Sequence, residues 1–356
     1  MTNRKRSRSG FPALAGAVAL AVASLGACGD PGAEPEEDEL EEAPDAAPAA
    51  DAGSQVEIVE YEIPRAEAFP HDPAVSADGT VWYTDQRNSF IGRLDPGTGE
   101  FRDWPTPTPG SGPHGITVAP DGGVWYTGNA AGRLGRLDPE SGEIREYPTP
   151  GAGDPHTLVV HDGAVWFTVQ QGNAVGRLDP ASGAVDVWPV EVASARPYGI
   201  VPAPDGSLWV ALFGTNRLLR IDPAGPTLEP IVLPEPASRP RRLAVDDDGV
   251  VWYTDYPRGM LGRYDPADRS FEEYATPTAD GRPYGIAIGP DGRLWYGEAS
   301  SGLMVAFDPE TSEQDTVRVP TPNAIVRHMV ADPTRGRVWL ALSGTGRIGR
   351  IDLAAR

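Results

Sequence analysis

From about residue 56 onward, apolar and polar positions alternate in runs of four to seven residues, each run cut short by a turn signal. Residues 114–148 show the pattern most clearly. HGITVA is followed by the turn PDGG, then VWYT, then RLGRLD, then the turn PESG and finally EIREYP. Alternation with period two over so few residues predicts β-strands rather than helices. The Asp-Gly and Pro-Asp-Gly turns supply the left-handed backbone position that a tight hairpin needs. Each unit therefore predicts four short antiparallel strands, the length expected of narrow sheets.

The unit recurs. Trp82, Trp125, Trp166, Trp209, Trp252, Trp295 and Trp339 follow one another at spacings of 43, 41, 43, 43, 43 and 44 residues. A fixed period in the forties with strand content is the mark of a propeller. The expected fold is all-β, a seven-bladed β-propeller of four-stranded blades. The last unit stops at RIGRIDLAAR, after its third strand, whereas VEIVEYEIP (residues 56–64) precedes the first unit like a spare fourth strand. That N-terminal strand is expected to complete the last blade, closing the ring and removing an exposed sheet edge. The repeated tryptophans need no ligand; they are expected to pack between neighbouring sheets.

The first 55 residues do not share the repeat. Arg4, Lys5, Arg6 and Arg8 precede an apolar run from Phe11 to Leu25, and LGAC ends at Cys28. A basic region, a short hydrophobic run and a small-residue cleavage site read as an export signal over residues 1–27. LGAC is similar to a bacterial lipobox, and Cys28 is the chain's single cysteine, so lipidation at Cys28 is expected. Residues 28–55, rich in Glu, Asp, Pro and Ala, read as a disordered acidic tether, leaving residues 56–356 as the propeller. The expected location is the cell envelope, with the membrane touched only through the lipid anchor. Where there are two membranes, Gly29 favours the outer one.

Composition narrows the chemistry. Without Cys28 the propeller has no thiol, which excludes disulfides, cysteine nucleophiles and cysteine metal sites. Lys5 is the only lysine and leaves with the signal, so Schiff-base chemistry is excluded too. The net charge of −21 becomes −25 once the four basic residues of the signal are gone, which is unsuited to a phosphate backbone; no nucleic acid is expected as a partner.

Candidate chemistry lies where the repeat varies. In an antiparallel blade the start of the innermost strand and the end of the second share one face, bordering the mouth of the central channel. Counted ten or eleven residues before each tryptophan, the first position is His71, His114, His156, Tyr198, Arg241, Tyr284 and His328. Four of the chain's five histidines fall there; His161 does not. Imidazoles, phenols and a guanidinium around one opening suit a polar ligand and proton transfer near neutral pH. The second position, three residues after each tryptophan, carries acid at Asp85, Asp255 and Glu298. Loop charge, or pairing with a loop arginine, accounts for these three.

HGITVAPDGGVWYT (114–127), NAVGRLDP (173–180) and PYGIAIGPDGRLWYGE (283–298) resemble the virginiamycin B lyase family, the streptogramin-inactivating seven-bladed propellers, over residues 56–356. The resemblance implies a site with a histidine opening one blade, Glu-x-His opening the next, and a second glutamate just beyond that blade's tryptophan strand. It further implies Mg2+ on the glutamates and a histidine that transfers a proton, so that the ester of a cyclic depsipeptide breaks by elimination. Aligned end to end, the last two blades offer Tyr284, Val326, His328 and Ser343. Rotated round the ring, blades 2 and 3 offer His114, then Asp154-Pro155-His156, then Gln170.

On the rotated alignment His156 is the expected general base, with Asp154 raising its pKa by charge pairing. His114 positions substrate or stabilises negative charge. Asp154 and Gln170 are the expected Mg2+ ligands, and His71, Tyr198, Arg241, Tyr284 and His328 line the substrate. The expected partner is a small molecule or cyclic peptide at the channel mouth of a monomer. Two other readings stay open: a non-catalytic binding propeller, and a propeller lactonase or esterase.

Overall fold

A computed structural model describes residues 56–353; the signal, Cys28 and the tether lie outside them. Seven four-stranded antiparallel sheets follow one another in chain order. Blade 1 consists of Pro70–Val75, Val81–Asp85, Phe90–Asp95 and Glu100–Pro105. Blades 2 to 6 repeat that order, opening on Pro113–Val118, Pro155–His161, Pro197–Pro202, Pro240–Val245 and Pro283–Ile288. Each of these seven opening strands, including Val326–Asp332 of blade 7, touches the opening strands of both neighbouring blades, so together they wall a central channel.

The spare strand closes the ring. Ile58–Glu62 pairs antiparallel with Arg347–Asp352, Ile58 opposite Ile351 and Glu62 opposite Arg347, so blade 7 is assembled from both ends of the chain. Among the described residues no helix is long and apolar enough to cross a membrane.

Burial falls from the channel outward. Second strands such as Val124–Gly128 and Val251–Asp255 are buried along their whole length. Outermost strands such as Glu100–Pro105 are half-buried on one face and exposed on the other. The period-two alternation is therefore cleanest on outer strands, while the near-continuous apolar runs mark inner ones. Each repeated tryptophan lies in the seam with a neighbouring blade: Trp82 packs with Val124, Tyr126 and Leu137 of blade 2, and Trp209 with Val251, Tyr253 and Tyr264 of blade 5.

The phrase W-Y/F…G-R has a packing cause. Tyr83, Tyr126, Phe167 and Tyr253 lie directly opposite Gly92, Gly135, Gly176 and Gly262 on the third strand. A Cβ at Gly262 would fall 2.0 Å from Tyr253 Cζ, so only glycine leaves the ring room to lie flat on its partner strand.

Candidate active site at the channel mouth

Every opening strand carries an irregularity at the same place. In blade 1, Pro70 pairs with Asp85 and Pro73 with Tyr83, so two residues, His71 and Asp72, oppose one. Such a bulge re-aims side chains, and here it supplies two layers. The outer layer is His71, His114, His156, Tyr198, Arg241 and Tyr284. The next residue of each blade forms the inner layer, which includes Asp72, Thr157 and Arg242.

The threonine of V-W-Y-T fixes this bulge. Thr127 Oγ1 accepts from Gly115 N at 2.8 Å and donates to His156 O of the next blade at 2.7 Å. Thr84 links Asp72 N to His114 O, Thr168 links Thr157 N to Tyr198 O, and Thr254 links Arg242 N to Tyr284 O in the same way. These threonines, unremarkable as strand residues in the sequence, set the spacing of the outer layer from blade to blade.

Blade 7 corrects one placement. Val326 pairs with Leu342 and Met329 with Leu340, so the residue equivalent to His71 is Arg327 and His328 falls in the inner layer beside Asp72's level. The physical reason is the hairpin. A 3-10 turn, Pro333–Arg335, makes the blade 7 turn one residue longer than that of blade 1, so a count of eleven back from Trp339 stops one residue short, at His328. Three imidazoles, not four, therefore share the outer layer.

The outer layer divides into two arcs. His71, His114 and His156 lie side by side, with ring centroids 3.7 Å apart and planes tilted by 42° and 43° at successive steps. Tyr198 continues the row 4.1 Å from His156. Opposite, Arg241 donates to Tyr198 Oη at 3.2 Å and to Tyr284 Oη at 3.0 Å, and the two phenols also bond each other. All of these side chains are buried. One arc can accept a proton; the other can donate hydrogen bonds to developing negative charge.

Beneath them lies an ion pair across the channel. Arg242 of blade 5 donates to Asp72 Oδ1 of blade 1 at 2.9 Å and to Thr157 Oγ1 of blade 3 at 3.3 Å. Burial would raise Asp72, but the Arg242 guanidinium, with His328 and His71, holds its carboxyl well below the usual carboxylate range. Burial, reinforced by Arg242 and His71 and opposed by Asp72, pushes His328 down to about 3. His328 is thus a neutral imidazole at any ordinary pH.

The rotated set comes together only in part. His114 and His156 are side by side, but Asp154 is half-buried on the loop before the strand. Its two oxygens accept from Gln171 N at 2.8 Å and Gly172 N at 3.1 Å. Gln170 is buried, and its Nε2 has no hydrogen-bond partner among the described residues. A carboxylate occupied with two backbone amides and one neutral amide do not make the oxygen-rich set that Mg2+ needs, so Asp154 and Gln170 do not fit a Mg2+ ion. His156 Nδ1 lies 3.1 Å from Thr157 Oγ1. The ring carboxylate sits elsewhere, Asp72 Oδ1 being 2.8 Å from His71 Nδ1.

The rim acids hold loops. Asp85 accepts from Phe69 N at 3.0 Å and Arg65 at 2.8 Å, Asp255 from Arg239 N at 3.0 Å and Arg258 at 2.9 Å, and Glu298 from Thr278 N at 3.0 Å. Asp154 does the same for blade 3. Four carboxylates at the mouth thus tie the loop entering a blade to the one leaving its second strand.

Fold and site together define a seven-bladed propeller with a proton-accepting and a hydrogen-bond-donating arc at one channel mouth. The sequence profile of the virginiamycin B lyase family matches residues 48–300 and again 233–356, and the chain belongs to that family. The chain is similar to the solved virginiamycin B lyase from Staphylococcus aureus, with 25% identity and a TM-score of 0.78 over 84% of this chain and 100% of that one. A streptogramin B lyase structure is 26% identical, with a TM-score of 0.77 over 84% of this chain and 98% of its own. A catalytically inactive Staphylococcus aureus variant with quinupristin, 24% identical, has the same fold at a TM-score of 0.78 over 84% and 100%. Among curated proteins no sequence matches.

Proposed function

We propose that the chain is a carbon–oxygen lyase that opens a cyclic depsipeptide or related cyclic ester by elimination, at the channel mouth and as a monomer. The division of the mouth into an imidazole arc and a phenol–guanidinium arc carries this reading, and family membership supports it. Elimination needs those two functions and no water. His156, at the junction of the arcs, takes the proton from the carbon next to the ester-bearing carbon. The C–H electrons become a C=C bond, the C–O bond breaks, and the electron pair leaves on the carboxylate. Arg241 and the Tyr198 and Tyr284 hydroxyls receive that negative charge in a buried setting where such bonds are strongest. His114 packs against His156, 3.7 Å between ring centroids, and limits its movement. We further propose that the propeller works in the cell envelope, held by lipid on Cys28.

Incubation of the purified chain with a type B streptogramin tests the reaction. The expected product is linear and has the mass of the substrate; one that has gained water means hydrolysis and an esterase. His156→Ala is expected to lower kcat by about 100-fold or more, the contribution typical of a positioned base. Ligand binding without turnover, unchanged in that variant, would show a binding propeller instead.

A further inference from the structure

Among the described residues, the His, Asp and Glu side chains compact enough to share one cation lie away from the rotated set, in blades 1 and 2. One donor atom each of His71, Asp72 and His114 falls within 4.8 Å of the other two, and all three residues are buried. We propose that His71, Asp72 and His114 form a site for a divalent cation of the zinc class. This assignment does not rest on the elimination reaction.

The donor set selects the metal. Two imidazole nitrogens and one carboxylate oxygen suit zinc, nickel or copper, whereas magnesium takes oxygens and keeps its waters. With no cysteine in the propeller, no thiolate competes for such an ion. The backbone holds the set ready. Thr84 Oγ1 accepts from Asp72 N at 3.1 Å and donates to His114 O at 2.7 Å, so one hydroxyl fixes ligands of two blades relative to each other. The contact between His71 Nδ1 and Asp72 Oδ1, 2.8 Å, holds that imidazole against the carboxylate. Asp72 Oδ1 also accepts from Arg242 at 2.9 Å. A dication bound here would share Asp72 with the Arg242 guanidinium, whose positive charge opposes binding.

Equilibrium dialysis of the untagged full chain, stripped with chelator, against zinc chloride in excess magnesium reads this out. One zinc per chain is expected. His71→Gln and His114→Gln are each expected to weaken it at least about tenfold, no less than losing an outer-shell partner costs. His161→Gln is expected to leave it unchanged, and Arg242→Met to tighten it. X-ray absorption of the zinc-loaded wild-type chain covers variants that fail to fold: imidazole nitrogens at about 2.0–2.1 Å are expected. Less than one zinc, affinity unchanged in both histidine variants, or an all-oxygen shell overturns the site. Because the readout is binding, a negative result leaves the elimination reading standing, and an inactive chain that binds zinc leaves the metal site standing.

Discussion

At the scale of single residues, the inner layer governs how the molecule responds to acid. His328 is neutral down to about pH 3, whereas in the unfolded chain it protonates near 6.5. Between those values the unfolded state binds more protons than the folded one, so stability falls as pH falls, by up to about 1.4 kcal/mol per pH unit. Asp72 has the ordinary carboxylate sign: its depressed value adds stability above 3.8 that is lost only below it. The difference in urea midpoints between wild type and His328→Gln, measured from pH 4 to 6.5 in chelator, therefore reads the His328 contribution. The wild type is expected to lose stability steadily across that range, and His328→Gln to show a flatter slope. An identical slope in the two proteins would mean that His328 protonates in the folded state.

The same layer shows what the sequence hid. His328 reads as a ring histidine only if every hairpin has the same length, and the turn at Pro333–Arg335 breaks that count. Asp72 was missed because HDPAV looks like any strand opening. Its signal was an acid at a bulge position where blades 2, 4 and 6 carry Gly115, Gly199 and Gly285. Loop pairing was legible for Asp85, Asp255 and Glu298, which hold loop amides or arginines as their residue type suggested, but the fate of Asp154 was not. Whether a mouth carboxylate faces a ligand or a loop amide depends on loop conformation, which alternation and spacing do not encode.

At the scale of elements, the repeat phrase is a set of contacts between strands and blades, and most of it was readable. Tryptophan fills the seam between blades, Asp-Gly turns the hairpin, and both were predicted from residue type alone. The threonine link and the aromatic-on-glycine pair were not, because each involves a partner about 30 or 9 residues away. The glycine pair makes a sharp test. Gly262→Ala places a methyl 2.0 Å from the Tyr253 ring, whereas Gly225 has open space about it. Gly262→Ala is expected to cost about 1–3 kcal/mol by overpacking, and Gly225→Ala to fall within about 0.5 kcal/mol of wild type, both read from urea denaturation. Equal costs would mean that the second strand shifts freely to make room.

At the scale of the whole molecule, stability depends on a joint between the two ends. Deleting residues 58–62 leaves Arg347–Asp352 as an unpaired edge. Such an edge recruits other chains. The shortened chain is expected to melt at a lower temperature than the full one and to run as concentration-dependent oligomers in size-exclusion chromatography. A monomer with wild-type melting would show that blade 7 is stable with three strands.

That joint also orders events in time. Ile58–Glu62 is among the first propeller residues to be made, and its partner Arg347–Asp352 among the last. The closing strand must wait, unpaired, while six blades are synthesised, and the contact then spans the longest loop in the domain. Such distant pairings form late and slowly. His71 and Asp72 of blade 1 meet Arg327 and His328 of blade 7 across this last-formed seam. The inner layer is thus completed only when blade 7 has been delivered, and a chain truncated before it has six blades but no finished site.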